Sequence, residues 1–432
     1  MSFRGIVKSS HPTRPVAAAV IAAVGLCASL ITQPPVAVSQ AAPGPLTVPS
    51  PQAPGLPAPT SSDLGEAAFN AYYDGAGDLL YGPSVNPQTT QDIKNVFAFL
   101  QASTAWNGFP MWNLWGTVED TPYTPDTLRD YPEPRLVKVE PDERFPVDRL
   151  FIESPAMRRI VQVQVLRPAD RTTPAPMLYL LDGVTAPIQQ GWLREGDVLG
   201  AMKNQHVTAI MPVEAGGSNY TDWAETDPHL GYYKWETFLT QELPGVLETQ
   251  ANIPFNGERY IGGLSMGGSA AVRLAALHPE LYAGTFGISG CYSTTSTMGH
   301  EFLNLITRVV GGNPALQWTP EERARNDIAN RPEVLAGMKD MNIYLYAADG
   351  VINADARETY RPDGAMAPVN LFGAMVLEKT VNSCTRDMSA ALNAVGVEHT
   401  LTLQNGGVHE WPYYRAQLPV AWAAISEGKY TR

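Results

Sequence analysis

The segment from Arg259 to Leu277 constrains the fold of this chain more than any other stretch. An apolar, strand-like run at 259–263 leads into Gly-Leu-Ser-Met-Gly at 263–267, and an alanine-rich helical run follows directly. A serine in this context is typical of a sharp strand-to-helix turn that leaves its hydroxyl exposed at the helix N-terminus. Glycines suit the turn because a Cβ there would collide with the neighbouring strand and helix. The pattern predicts that Ser265 is a nucleophile.

Strands and helices alternate from about residue 135 onward. Strands are predicted at Leu150–Glu153, Val161–Leu166, Met177–Leu181, Thr208–Val213, Arg259–Gly263, Gly284–Ile288, Asn342–Ala347 and Thr400–Leu403. Helices are predicted at Trp235–Thr249, Gly267–Leu277, Leu371–Val395 and Tyr414–Ser426. This alternation predicts βαβ units and a mostly parallel central sheet flanked by helices. Together with the serine turn, it predicts an α/β-hydrolase fold for a catalytic domain spanning residues 135–432.

A serine nucleophile needs a base within hydrogen-bond reach, and the chain has seven histidines. His409 lies in Gly-Gly-Val-His-Glu-Trp, a loop after the last predicted strand and before the last predicted helix. In this fold the triad follows the chain order serine, acid, histidine, with the histidine in the last loop. His229 and His300, in predicted loops, are weaker candidates. The sequence therefore predicts His409 as the base.

Two carboxylates compete for the role of the triad acid. Asp349 directly follows the predicted strand Asn-Ile-Tyr-Leu-Tyr-Ala-Ala, where α/β-hydrolases commonly place an aspartate. Glu378 lies in a predicted helix and would otherwise be an ordinary solvated glutamate. The general fold pattern taken alone favours Asp349.

The first 134 residues divide into three parts. A basic start followed by an apolar, alanine-rich run and small residues predicts an export signal peptide over residues 1–42, with an uncleaved anchor as the alternative. The apolar run is shorter than a helix that spans a bilayer. Residues 43–62 are rich in proline, alanine and serine, which predicts a disordered linker. Residues 63–134 are predicted as a helical, tryptophan-rich N-terminal extension, with apolar residues at helical spacing in 90–102.

Charge and cysteine content narrow the function classes further. The formal net charge of −13 argues against nucleic acid as a partner, since phosphates need a basic patch. Of the three cysteines, Cys27 lies in the predicted signal and leaves Cys291 and Cys384 in the exported protein. An exported chain with two cysteines is compatible with a single disulfide. If they pair, the bridge would brace the helix that carries Glu378.

From about Leu150 to the C-terminus the chain resembles the antigen 85-type mycolyltransferases, esterase-like enzymes of the α/β-hydrolase fold. The matching segments, in chain order, are RLFIESPAMRRIVQVQVLRP, LYLLDG with Gly191-Trp192, IMPVEAGGSNYTDW, YKWETFLTQELP, GLSMGGSAA and GVHEWPYY. They cover nearly all of the predicted catalytic domain and none of residues 43 to about 130.

The resemblance implies roles for individual residues. The family's serine and histidine fall on Ser265 and His409, and its glutamate falls on Glu378, which shifts the expected acid from Asp349 to Glu378. The remaining implied residues are Val184 and Met266 as oxyanion-hole N–H donors, and Asp182 and Trp411 beside a sugar-binding pocket. The chain departs from the family at two places: Thr185 stands where the family has arginine, and Gly267 where it has alanine.

The resemblance also implies an activity. It predicts a serine acyltransferase that moves a mycolyl chain from trehalose monomycolate to a second trehalose monomycolate or to cell-wall arabinogalactan, in the cell envelope. Two alternatives remain open: a secreted carboxylesterase that uses water as acceptor, and a non-catalytic cell-wall or sugar-binding protein. No metal site, cofactor or nucleotide is expected, because the sequence shows no close cluster of potential metal ligands.

Overall fold

The computed structural model describes residues 127–362 and 367–431. Residues 127–359 and 370–431 belong to one compact unit, while 360–362 and 367–369 are assigned to a second. The predicted signal peptide, the linker and the extension up to residue 126 lie outside the described residues, so they stay predictions.

Nine strands form one sheet in the described part of the chain. They are β1 (Arg135–Pro141), β2 (Asp148–Ser154), β3 (Arg159–Leu166), β4 (Ala175–Leu181), β5 (Thr208–Pro212), β6 (Phe255–Leu264), β7 (Gly284–Ile288), β8 (Asn342–Ala348) and β9 (Thr400–Gln404), in the order β1-β2-β3-β5-β4-β6-β7-β8-β9. The pairs β1–β2, β2–β3 and β3–β5 are antiparallel. The other five pairs, which join β5, β4, β6, β7, β8 and β9 in that order, are parallel. The predicted mostly parallel sheet is therefore confirmed.

The strand β1 was not among the predicted strands. It is an edge strand of alternating charged and apolar residues whose Val137 and Val139 are exposed, so it lacks the apolar run that marks the buried strands. The central strands β4, β5 and β7 are buried along their whole length, as expected where helices cover a parallel sheet.

The helices that flank the sheet are α1 (Gly191–Arg194), α2 (Val198–Met202), α3 (Trp235–Thr237), α4 (Leu243–Thr249), α5 (Met266–Leu277), α6 (Thr297–Val309), α7 (Pro320–Arg325), α8 (Pro332–Leu335), α9 (Ala354–Tyr360), α10 (Ala367–Ala394) and α11 (Trp411–Ser426). The predicted helix 235–249 contains a π-helical turn, Phe238–Glu242, between α3 and α4. His300, which was assigned to a loop, lies in α6. Within the described residues, no helix is long and apolar enough to cross a membrane.

The buried carboxylate of Glu236 binds the C-terminal end of α5, the helix that follows Ser265. The C-cap residue of α5 is His278, and its Nε2 lies 2.8 Å from Oε1 of Glu236 on α3. The Arg325 guanidinium donates to both Glu236 oxygens, at 2.9 and 2.5 Å. Burial raises the pKa of Glu236, but these hydrogen bonds outweigh it and lower the pKa to about 2. The ionised carboxylate therefore stabilises the fold at neutral pH.

Candidate active site

Ser265 occupies the predicted turn between β6 and α5. Its backbone has φ 53° and ψ −119°, a conformation that a non-glycine residue adopts only when the surrounding structure enforces it. A Cβ on Gly263 would lie 2.5 Å from the Gly267 carbonyl carbon, and one on Gly267 would lie 2.5 Å from the backbone oxygens of Leu181 and Asp182. An alanine at 267, as in the family, would therefore require the end of β4 to shift in this chain.

Ser265, His409 and Glu378 form a connected hydrogen-bonded chain. The Ser265 Oγ lies 2.8 Å from His409 Nε2, and His409 Nδ1 lies 2.8 Å from Glu378 Oε2. Ser265 is 6% exposed, and the His409 side chain is 11% exposed. These distances are those of a nucleophile, a base and the group that orients the base.

The acid helix α10 places Glu378 in the interior with both oxygens engaged. Its Oε1 accepts hydrogen bonds from the Ser289 hydroxyl at 2.8 Å and from the Ala348 N–H at 2.7 Å, which leaves Oε2 for His409. The backbone N–H of His409 also donates to the Ala374 carbonyl of α10 at 3.1 Å. The loop that carries the imidazole is therefore fixed to the same helix as the carboxylate.

Asp349, the alternative acid, has different partners. Its Oδ1 accepts from the N–H groups of Val351 and Gly406 at 2.8 and 3.0 Å, so it ties together the loops after β8 and β9. The structure thus brings Glu378, and not Asp349, to the His409 ring.

The two N–H groups expected to form an oxyanion hole are those of Met266 and Val184. Met266 is the first residue of α5, so its N–H has no partner within the helix. Val184 follows β4 and the Asp-Gly turn, and its N–H donates no hydrogen bond to any described residue. Val184 lines the same pocket as Ser265, and Met266 directly follows Ser265 in the chain.

The pocket in front of Ser265 has a volume of about 310 Å³ and two unlike walls. One wall is apolar and consists mainly of Phe302, Leu305, Ile306 and Val309 from α6, with Leu264 and Leu377. The other wall is polar and aromatic and includes Asp182, Thr185, Arg194, Glu195, Glu410 and Trp411. Ser265 and His409 contribute to the lining of this same pocket.

Asp182 and Trp411 lie together beside Gly191. Asp182 is 1% exposed and accepts hydrogen bonds from the N–H groups of Gly183 and Gly191 at 2.7 and 2.6 Å. Burial raises its pKa to about 6, although these hydrogen bonds oppose the shift. A Cβ on Gly191 would lie 2.4 Å from the Trp411 ring and 2.8 Å from Asp182 Oδ2, so only glycine allows this close packing.

Cys291 and Cys384 form a disulfide, the single bond with which the cysteine content is compatible. Cys291 follows β7 and Cys384 lies on α10, so the bond joins the end of a central strand to the acid helix. The Cys291 N–H also donates to Ser269 Oγ at 2.8 Å, and that hydroxyl donates to the Ser265 carbonyl at 3.0 Å.

Sequence reasoning missed two features of this site. The apolar wall of α6 was readable, since Phe302, Leu305, Ile306 and Val309 follow the i, i+3, i+4, i+7 spacing of a helix face. Ser289 carried no such signal, because a serine after a strand is ordinarily a loop residue.

Comparison with known proteins shows which sequences are similar to this chain. The chain matches the esterase family model, described as "Putative esterase", over residues 154–425. It is 31% identical over 286 residues to the diacylglycerol acyltransferase/mycolyltransferase Ag85A of Mycobacterium tuberculosis, covering 63% of this chain and 79% of the relative. Ag85A of Mycobacterium ulcerans is 31% identical over 292 residues, with the same coverage of both chains.

Two solved structures show the fold. Mycobacterium tuberculosis MPT51 superposes with a TM-score of 0.51 at 21% identity, covering 65% of this chain and 99% of that one. An S-formylglutathione hydrolase from Agrobacterium tumefaciens superposes with a TM-score of 0.50 at 14% identity, covering 68% and 99%. At these identities the likeness concerns the fold alone. The family match spans more than half of the chain and includes the strands from β3 to β9, so the chain belongs to the antigen 85-type esterase family of the α/β-hydrolase fold.

Proposed function

We propose that this protein is a serine acyltransferase that moves a mycolyl-type acyl chain from trehalose monomycolate to a second sugar hydroxyl. The acceptor is a second trehalose monomycolate or cell-wall arabinogalactan. The catalytic residues are Ser265, His409 and Glu378, with the N–H groups of Val184 and Met266 as the oxyanion hole. The Ag85A relatives are named as mycolyltransferases, and this chain carries the same class of fold.

The observation that supports this proposal is the mixed lining of the pocket at Ser265, which combines an apolar set of residues with a polar and aromatic set. An ester of a fatty acid and a sugar has an apolar part and a hydroxyl-rich part on opposite sides of its carbonyl. The α6 wall offers an apolar surface to the acyl chain, while Asp182 and Trp411 offer a carboxylate and an aromatic face to the sugar. An aromatic ring packs against the apolar face of a sugar ring, and a carboxylate accepts hydrogen bonds from the sugar hydroxyls.

The first half-reaction forms an acyl-serine. The Ser265 oxygen attacks the ester carbonyl carbon while His409 Nε2 takes the hydroxyl proton. The Val184 and Met266 N–H groups stabilise the negative oxygen of the tetrahedral intermediate, and losing one such donor costs about 3 kcal/mol in barrier. As the intermediate collapses, His409 returns the proton to the departing sugar oxygen, and trehalose leaves.

The second half-reaction reverses these roles. An acceptor hydroxyl attacks the acyl carbonyl, its proton passes to His409, and collapse releases the new ester and restores the Ser265 hydroxyl. Throughout, Glu378 keeps the imidazole in the tautomer that has its proton on Nδ1. Transfer prevails over hydrolysis when a sugar hydroxyl, rather than water, occupies the acceptor position.

The substrate also sets where the protein works. Trehalose mycolates and arabinogalactan belong to the cell envelope, so we place the protein there, exported by the predicted signal peptide over residues 1–42.

Product analysis of the purified mature protein with trehalose monomycolate tests the function. We expect trehalose dimycolate and free trehalose, and neither product from Ser265→Ala. Free mycolic acid and trehalose without any trehalose dimycolate, also lost in Ser265→Ala, would replace the transferase with a carboxylesterase. Absence of both products from the wild type would refute this donor.

A further inference from the structure

The second oxygen of Glu378 is held by a buried hydroxyl that the mechanism above does not use. Ser289 is fully buried, and its Oγ lies 2.8 Å from Glu378 Oε1. Among the described residues, the second donor to that oxygen is the Ala348 N–H at 2.7 Å. The carboxylate has two donors on Oε1 and one, His409, on Oε2, so its plane and its rotation are fixed from both ends.

The backbone at Ser289 is held in an unfavourable conformation. Its φ is 52°, in the left-handed region that glycine adopts readily and serine does not. The residue directly follows β7, and its N–H donates to the Tyr346 carbonyl at 2.7 Å. This conformation directs the Ser289 side chain to the acid helix, and a glycine there would supply the turn without the hydroxyl.

The segment after β7 that carries Ser289 is also bound to α10 at residues C-terminal to Glu378. The Cys291–Cys384 disulfide joins the two elements, and the Thr385 hydroxyl donates to the Gly290 carbonyl at 3.4 Å. One helical turn after Glu378, the Asn382 amide donates to the Ala348 carbonyl at 2.8 Å. These contacts keep the two donors to Oε1 at a constant distance from the acid.

We propose that Ser289 is a positioning residue for the triad acid, whose hydroxyl aligns Glu378 with His409. The inference rests on the proposed catalytic role of Glu378. Without the hydroxyl, Oε1 retains one donor and the carboxylate rotates away from the His409 Nδ1 proton. The loss falls on kcat, because Ser289 does not line the substrate pocket. A hydrogen bond to a charged group is worth a factor on the order of 10 to 100, and we expect kcat to fall by that factor.

Three variants separate the hydroxyl from the backbone. Ser289→Ala removes the hydroxyl, Ser289→Gly removes it and also relieves the strain, and Ser289→Thr retains a hydroxyl. The matched control is Ser426→Ala, which deletes another buried serine hydroxyl, one bound to the Trp422 carbonyl in α11. Hydrolysis of p-nitrophenyl butyrate gives kcat and KM, and the low-field ¹H resonance of the His409 Nδ1 proton reports its bond to Glu378.

The expected result is a similar fall of kcat in Ser289→Ala and Ser289→Gly at unchanged KM, with partial recovery in Ser289→Thr and wild-type kcat in Ser426→Ala. The low-field resonance shifts or is lost in the first two variants only. A kcat within twofold of wild type in Ser289→Ala, or recovery of kcat in Ser289→Gly, would overturn the inference.

Failure of the proposed function gives a different pattern. If the wild type and Ser265→Ala hydrolyse the ester equally slowly, the catalytic role of Ser265 is refuted. The resonance still decides the role of Ser289, since its persistence in Ser289→Ala contradicts positioning and its loss supports it.

Discussion

Replacing Glu378 with glutamine exchanges one oxygen for an amide nitrogen and preserves the shape of the side chain. The structure dictates which way the amide must point. The Ser289 hydroxyl and the Ala348 N–H both donate to Oε1, so the amide oxygen stays there and its NH₂ group faces His409. An NH₂ group donates, so His409 Nδ1 must become the acceptor and the ring proton moves to Nε2. The ring then presents an N–H to Ser265 and cannot take its proton.

A wrong tautomer of this kind costs about 10⁴-fold in kcat, or about 5.4 kcal/mol in barrier. Hydrolysis of p-nitrophenyl butyrate measures the loss, and thermal unfolding checks that the fold survives. The matched control is Asp349→Asn, the same exchange at the other candidate acid, whose oxygen binds only loop N–H groups. We expect Asp349→Asn to retain kcat within about tenfold, as for a residue outside the triad. If Glu378→Gln kept its activity while Asp349→Asn lost it, the assignment of the acid would be refuted.

Three further predictions concern the pocket, the disulfide and the ion pair between Glu236 and Arg325. Ile306→Trp narrows the pocket at its apolar wall, so kcat/KM for p-nitrophenyl esters falls as the acyl chain lengthens, while kcat/KM for the acetate is unaffected. Each methylene excluded from the pocket loses about 0.8 kcal/mol of transition-state binding. If octanoate and acetate fell equally, this wall would not hold the acyl chain. The double variant Cys291→Ser/Cys384→Ser opens a bridge between positions 93 residues apart and lowers the free energy of unfolding by on the order of 4 kcal/mol in denaturant titrations; an unchanged midpoint contradicts this. Glu236 has a depressed pKa, so its contribution to stability is present above its ordinary value of 4.5 and is lost as the pH falls to about 2. Glu236→Gln therefore flattens the acid side of the stability profile, and an unaltered slope between pH 4.5 and 2 argues against the pair.

The parts of the fold that the sequence predicted are those with unambiguous local patterns. Buried parallel strands such as β4 and β7 are continuous apolar runs, and the glycines around Ser265 specify a turn that few other residues can adopt. The strand β1 escaped prediction because an edge strand exposed to solvent has a mixed composition. The apolar spacing over 235–249 predicts one continuous helix and does not distinguish the π-helical turn at Phe238–Glu242 from α-helix.

For the site, motif and chain order were sufficient to select Ser265 and His409, which the structure brings within hydrogen-bond distance. They were insufficient for the acid, because Asp349 and Glu378 are both compatible with that order and only family resemblance favoured Glu378. The reason becomes visible in three dimensions: Asp349 is turned to the backbone of two loops, while α10 places Glu378 beneath the imidazole. Ser289 could not be found from sequence, since its role depends on a contact between residues 89 positions apart. The catalytic roles themselves remain predictions that the variants above test.

Covalent trapping of the acyl-enzyme shows whether Ser265 carries the acyl group during turnover. The wild type is mixed with an excess of p-nitrophenyl butyrate or trehalose monomycolate, quenched with acid during turnover and examined by intact-protein and peptide mass spectrometry. We expect one added acyl group on the peptide containing Ser265 and none in Ser265→Ala. Turnover without that adduct in the wild type, or an acyl group on another residue that persists in Ser265→Ala, would contradict this expectation.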